Sequence, residues 1–105
     1  MTQTYWISFA IDQQERHGRS HGDRHEALVK VISDMASTAV WHETPCFMIF
    51  DSRHGMDAIN GRLKSAMDGE FDLFVLVSAQ TCDARIVGPC HDRDIFKLIA
   101  NIEAG

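Results

Sequence analysis

The chain reads as an α+β domain, a ferredoxin-like βαββαβ sandwich on an antiparallel sheet with a short C-terminal strand and helix appended. Three observations predict this. Tyr5, Ile7, Phe9 and Ile11 alternate with Trp6, Ser8 and Ala10, as in a strand with one buried face. At mid-chain, WHETPCFMIFDS joins two extended runs through a Thr-Pro break and reads as a hairpin. On either side of that hairpin the apolar residues switch to helical spacing, and the order strand, helix, hairpin, helix, strand is the split βαβ arrangement.

In chain order, the first strand is expected over Thr4 to Ile11. Asp23 caps the first helix with Glu26 at the capping-box position, and Ala27, Leu28, Val31, Ile32 and Met35 mark its buried side to about Ser37. The hairpin strands fall at Ala39 to Glu43 and Cys46 to Phe50. Gly55 caps a second helix in which Met56, Ile59, Leu63, Ala66 and Met67 share a face, ended by Asp68-Gly69. Phe71 to Ser78 is apolar on both faces and is expected to be a strand buried on both sides. Ala84 to Val87 is a short fifth strand stopped by Gly88-Pro89. Asp92 then caps a terminal helix carrying Ile95, Leu98, Ile99 and Ile102. The alternation also predicts an apolar sheet face on which Trp6 and Ala10 lie beside Phe74 and Leu76, and such a patch implies a homodimer.

One domain spans residues 1–105, since this length builds a single core and not two. A hydrophobic content of 45% with 24% charged residues excludes a disordered chain. No apolar run reaches the roughly 18 residues of a membrane span, and the alternating N-terminal stretch reads as a strand instead of a signal peptide. Cys46, Cys82 and Cys90 form an odd set without a CxxC pair, which suits a reducing, cytoplasmic setting.

The net charge of −5 argues against general nucleic-acid affinity, because phosphate neutralisation dominates such binding. Any nucleic-acid or protein partner must use a local patch. Glu15 to His25, ERHGRSHGDRH, supplies one, and its Arg16, Arg19 and Arg24 are the expected phosphate or partner contacts. His17, His21 and His25 recur every four residues, as in a metal-binding row, although Gly18 and Gly22 interrupt a helix there and favour a flexible basic loop. Trp41 is expected to fill the sheet–helix interface, with His42 directed to solvent, a dimer mate or an unpaired base. Cys82, Cys90 and His91 lack the spacing of a zinc site, and the thiols are expected to be wholly or partly buried.

The strand YWISFAID, the Trp41-His42 pair, the helix INGRLKSAMD and the strand EFDLFVLV together resemble the SinR-like small proteins, which are related in fold to the CRISPR-associated small adaptation proteins. The resemblance spans Tyr5 to Val87 and implies a ferredoxin-like fold and dimerisation. In the nuclease-like relatives an aspartate follows an aromatic residue at the end of the first strand, and two such aspartates hold a metal ion across the dimer. Here Ala10 follows Phe9, and Asp12 lies two residues further on, on the same face but about 7 Å along the strand. Asp12 is therefore the candidate catalytic and metal-ligating residue, displaced from the family position.

Two functions follow from these readings. The leading one is a non-enzymatic dimer, without cofactor, that binds a macromolecular partner such as nucleic acid through Arg16, Arg19, Arg24 and His42. The alternative is a metal-dependent nuclease using paired Asp12 carboxylates and magnesium or manganese. A structural subunit of a larger protein assembly is the third.

Overall fold

Tyr5, Ile7 and Phe9 of the first strand, β1 (Gln3–Ala10), are buried in the computed structural model, which describes residues 1–105, while Trp6, Ser8 and Ala10 turn to the other side of the sheet. Helix α1 (His21–Met35) begins two residues before the expected Asp23 cap. Ser20 is the N-cap: its hydroxyl accepts from the Asp23 amide at 3.0 Å, and the Asp23 carboxylate accepts from the Ser20 amide at 3.1 Å. The reciprocal box satisfies two N–H groups that a helix start leaves open, so Gly22 is carried inside the helix instead of breaking it. Arg24, Leu28, Val31, Ile32 and Met35 are its buried residues.

Strand β2 (Ala36–Thr44) follows α1 directly, and the turn at Pro45-Cys46 returns the chain as β3 (Phe47–Ser52). Register shifts interrupt the β2–β3 ladder, and the Asp51 carboxylate fills the first by accepting from the amides of Thr38 and Ala39 and from the Thr38 hydroxyl. Those bonds, the hydroxyl first, hold the Asp51 pKa down at about 2. Gly55 caps α2 (Met56–Ala66), as the sequence predicts, and β4 (Leu73–Ser78) and β5 (Ala84–Val87) follow. The chain ends with a one-turn helix, α3 (Ile95–Leu98), and β6 (Ile102–Ala104).

The six strands form one sheet in the order β2-β3-β1-β4-β5-β6, antiparallel except for the parallel β5–β6 pair. The fold is thus a mixed α+β sheet with helices, of six strands and three helices, larger than a simple βαββαβ pattern. Strand β3 lies between β2 and β1, and β1 lies between β3 and β4, so each long helix crosses over one intervening strand. Both helices cover the face that carries Tyr5, Ile7, Phe9, Met48, Phe50, Phe74 and Leu76.

Two sequence expectations are corrected here. Ile95, Leu98, Ile99 and Ile102 do not share one terminal helix: α3 stops at Leu98, and Ile102 pairs with Ala84 across β5–β6. Helical spacing is overridden because the free edge of β5 offers ladder bonds, among them Ala84 N–H to the Asn101 carbonyl and Gly105 N–H to the Ile86 carbonyl. The register also pairs Ile7 with Leu76 and Phe9 with Phe74, on the helix side, whereas Trp6 pairs with Val77. Directly paired residues share a face. Trp6 therefore packs in a second cluster with Leu73, Val75, Val77 and Ile86, partly covered by Ile95, Phe96 and Ile99.

At the end of the sheet where β1 stops and β4 starts, Arg24 and Asp72 form an ion pair whose side chains are both 0% exposed. The Arg24 Nε donates to Asp72 Oδ2 at 2.9 Å, and its terminal nitrogens donate to the carbonyls of Arg19, Asp12 and Gln14 at 2.6, 2.7 and 3.2 Å. The Asp72 carboxylate also accepts the amides of Asp12 and Asp68, both at 2.8 Å. Gly88 sits against this hub with φ of 112°, where a Cβ would lie 1.9 Å from the Asp72 carbonyl oxygen, so only glycine fits. Breaking one partner of a buried pair leaves an uncompensated charge and costs about 3–5 kcal/mol. Arg24→Met, which keeps the stem but removes the guanidinium, is expected to lower unfolding free energy by that amount in urea titrations; a loss below about 1 kcal/mol, the size of an exposed pair, would contradict the hub.

Candidate metal centre

The β1–α1 connection turns sharply at Arg16-His17-Gly18-Arg19. The amides and carbonyls of Arg16 and Arg19 exchange bonds of 2.9 and 3.0 Å, and the two central residues take positive φ, 51° at His17 and 79° at Gly18. Positive φ at both centres is the two-residue hairpin turn that matches strand twist. Glycine takes this region freely, while a histidine there is uncommon. The turn projects the His17 ring, 68% exposed, toward the α2–β4 connection.

That connection is itself fixed. The Asp68 Oδ1 accepts the Glu70 amide at 3.0 Å, the Asp68 carbonyl accepts the amides of Phe71 and Asp72, and its own amide goes to the hub carboxylate. Asp68 is only 13% exposed at its side chain. Its Oδ2 meets His17 Nδ1 at 2.5 Å, and Glu70 Oε2 lies 3.9 Å from His17 Nε2. One ligand atom from each of the three residues falls within 4.8 Å of the others. Phe71 forms the wall below, 6.2 Å from the imidazole between ring centres, with the Arg16 guanidinium 3.7 Å above the Phe71 ring.

The electrostatics follow from this geometry. Hydrogen bonding to Asp68, then its charge, raises the His17 pKa, with Glu70 adding to the effect and Arg16 opposing it. The bond from His17 in turn lowers the Asp68 pKa. Each shift favours the imidazolium on the carboxylate, a proton standing where a divalent cation would stand. One imidazole and two carboxylates suit manganese, magnesium or zinc, and leave coordination positions for water or substrate oxygen.

The residues singled out in the sequence disperse. Asp12 keeps its carboxylate occupied, accepting Arg16 Nε at 2.8 Å and the Gln14 amide at 3.1 Å, and the Arg16 bond is the first cause of its lowered pKa. Arg19 donates to the carbonyls of Ser65 and Ala66, neutralising the C-terminal end of α2. Arg24 faces no partner at all, since it is the buried half of the hub. Of the three arginines, Arg16 alone retains terminal nitrogens without a protein acceptor. His42 lies far along β2, with its ring 6.4 Å from that of His25. Trp41, expected in the sheet–helix interface, turns to the outer face and is 44% exposed, edge-on to Phe47, because alternation assigns the inner side to His42. Cys82 is exposed, contrary to expectation, as is Cys46, each in a turn at positive φ, and Cys90 is half-buried.

Asp68 and Glu70 were legible in sequence only as a helix-ending Asp-Gly and a charged flank. Their signal is the DGEFD string, whose first two acids reach His17 only once the strand order brings β1 beside β4. Comparison with family models, with curated proteins and with solved structures gives no match to this chain.

Because the folded-state pKa of His17 is raised, the stabilisation from its pair is complete below its ordinary value of 6.5 and is lost as pH rises through the raised value. In an NMR titration the His17 ring is expected to titrate above 6.5 in the native protein and to return toward 6.5 in Asp68→Asn. A midpoint unmoved by that substitution would show that the two side chains do not pair in solution.

Proposed function

We propose that this protein is a divalent-metal-dependent phosphodiesterase on a ferredoxin-like core, with His17, Asp68 and Glu70 as the metal ligands. The β2-β3-β1-β4 order with two split βαβ crossovers supports the core reading, and β5, α3 and β6 are additions to it. The observation that carries the function is the meeting of three ligand atoms within 4.8 Å, from connections 51 residues apart in sequence, beside an arginine with free donors.

A cation held by His17, Asp68 and Glu70 would supply activation of the attacking water. Arg16, braced by Asp12 and Phe71, offers its terminal nitrogens to a non-bridging phosphate oxygen, where guanidinium geometry matches well. Asp12 then acts as a positioning residue for Arg16, in place of the metal-ligating role the sequence suggested. The chain's net charge of −5 argues against general attraction of nucleic-acid phosphate and leaves it to a local contact such as Arg16. A second reading, a non-enzymatic homodimer that binds a macromolecular partner, is favoured by the outer sheet face, where Trp6, Phe47 and the exposed Trp41 adjoin.

Calorimetric titration with manganese, run beside cleavage of short RNA and DNA with a chelator control, separates these readings. Asp68→Asn or Glu70→Gln is expected to weaken manganese binding by about tenfold or more and to abolish cleavage, since even indirect metal contacts are worth that much. Arg16→Met is expected to leave metal binding unchanged while reducing cleavage. Affinity should rise with pH through the raised His17 pKa, because the metal displaces its proton. Metal binding without cleavage would favour the binding dimer, and absence of manganese binding would remove the centre itself.

A further inference from the structure

Three imidazoles stand in a row near the end of β1, apart from the His17 centre and unused by the function proposed above. His21 and His25 are four residues apart at the start of α1 and so share one helix face. Their ring centres are 6.3 Å apart with planes 27° from parallel, and His25 and His42 of β2 are 6.4 Å apart at 28°. Both pairs fall within the spacing of stacked aromatic rings, so the row presents a run of π faces. With Phe9, Pro45 and Gln13 the three rings line a cleft of about 440 Å³, an ordinary size for a small-ligand site. No aspartate, glutamate, lysine or arginine lines it.

The walls of the cleft are fixed from behind. His21 Nδ1 lies 3.2 Å from the Asp12 carbonyl oxygen. A carbonyl only accepts, so Nδ1 carries the proton, and Nε2 is the acceptor left over in the neutral ring. The same carbonyl accepts from Arg24, which ties this ring to the buried hub. His25 packs edge-on to Phe9 at 5.8 Å between ring centres. The Cys46 carbonyl accepts the Phe9 amide at 3.0 Å, which fastens the β2–β3 turn, and Pro45 with it, beside β1. Asp12 also joins the cleft to the phosphate donor: its carbonyl holds His21, and its carboxylate accepts Arg16 Nε at 2.8 Å.

We propose that this cleft binds an unpaired nucleobase of single-stranded nucleic acid, which the phosphodiesterase reading makes the substrate. The placement of the phosphate rests on that reading, while the base cleft stands on its own lining. Uncharged aromatic and apolar faces suit the planar, neutral part of a nucleotide and offer nothing to its phosphate. The phosphate is met instead by Arg16, on the other side of Asp12. Stacking on imidazole faces tolerates any sequence, because every base has a π face. The Gln13 amide, which both donates and accepts, and His21 Nε2 are the polar groups available to a base edge. A base within a duplex must first be unpaired and unstacked to enter, so the cleft selects single strands.

A short single-stranded DNA carrying 2-aminopurine tests this, since the fluorescence of that base is quenched when it stacks. The titration is made with chelator present and in the Asp68→Asn/Glu70→Gln background, so that failure of the His17 centre does not bear on the result. Saturable quenching is expected, and an unlabelled duplex of the same sequence is expected to compete poorly. His25→Ala and His42→Ala should each weaken binding by about fivefold or more, the size of one lost stacking contact. His42→Phe, which keeps a ring face, should retain it. Arg16→Met should weaken binding and reduce its salt dependence while leaving the quenching at saturation unchanged. Circular dichroism checks the fold of each variant. Absence of quenching, quenching unaffected by both alanine variants, or a duplex that competes as well as the single strand would each overturn the proposal. Quenching without cleavage by the manganese-loaded native protein would instead remove the phosphodiesterase reading and support the base cleft alone.

Discussion

The buried pair of Arg24 and Asp72 is the constraint on which this structure turns. Two charges removed from water are tolerated only when their hydrogen-bonding capacity is filled, and here it is filled by backbone. Arg24 gathers the carbonyls of Asp12, Gln14 and Arg19, while Asp72 gathers the amides of Asp12 and Asp68. The pair therefore orders two connections that contain almost no regular structure and too few apolar residues to order themselves. A hydrophobic pair of equal volume would fill the space but could not hold those backbone groups at defined positions. The close approach of Gly88 to the Asp72 backbone closes the hub from the β5 side.

The hub also explains why the candidate chemistry collects at one end of the molecule. Ala10 at the end of β1 pairs with Leu73 at the start of β4, and the β2–β3 turn bonds to Phe9 near the same point. The start of α1 and the end of α2 close over this end, with Arg19 reaching across to the α2 carbonyls. The three residues of the candidate metal centre come from the connections at this end, His17 from β1–α1 and Asp68 and Glu70 from α2–β4. Regular strands and helices supply the platform, and irregular backbone pinned by a buried charge supplies the donors, which keeps flexible surface loops out of the geometry.

Much of the platform was legible in the sequence. Alternation in YWISFA, the break at Pro45 and the helical spacing of Ile59, Leu63 and Ala66 each report a local preference that the tertiary structure keeps. What was not legible depends on contacts remote in sequence. Arg24 lies in a string of arginines and histidines that reads as a solvated basic loop, and nothing local marks it as the residue that will meet Asp72, 48 positions later. The Ser20 capping box was masked by Gly22, whose weak helix propensity argued for a break. Ile102 kept a helical spacing but was captured by the open edge of β5.

The distribution of protons ties these features to function. The His17 pKa is raised by Asp68, whose amide is fixed by the hub while its carboxylate points at the turn. A divalent ion at the proposed centre would compete with the proton that this pair favours, so its occupancy would depend on pH. The Asp12 carbonyl accepts from His21 on one side and from Arg24 on the other. The chain of bonds from the start of α1 through Arg24 and Asp72 to the Asp68 amide is continuous and buried at its centre, so the same pair that closes the β1–α1 connection also sets the position of Asp68.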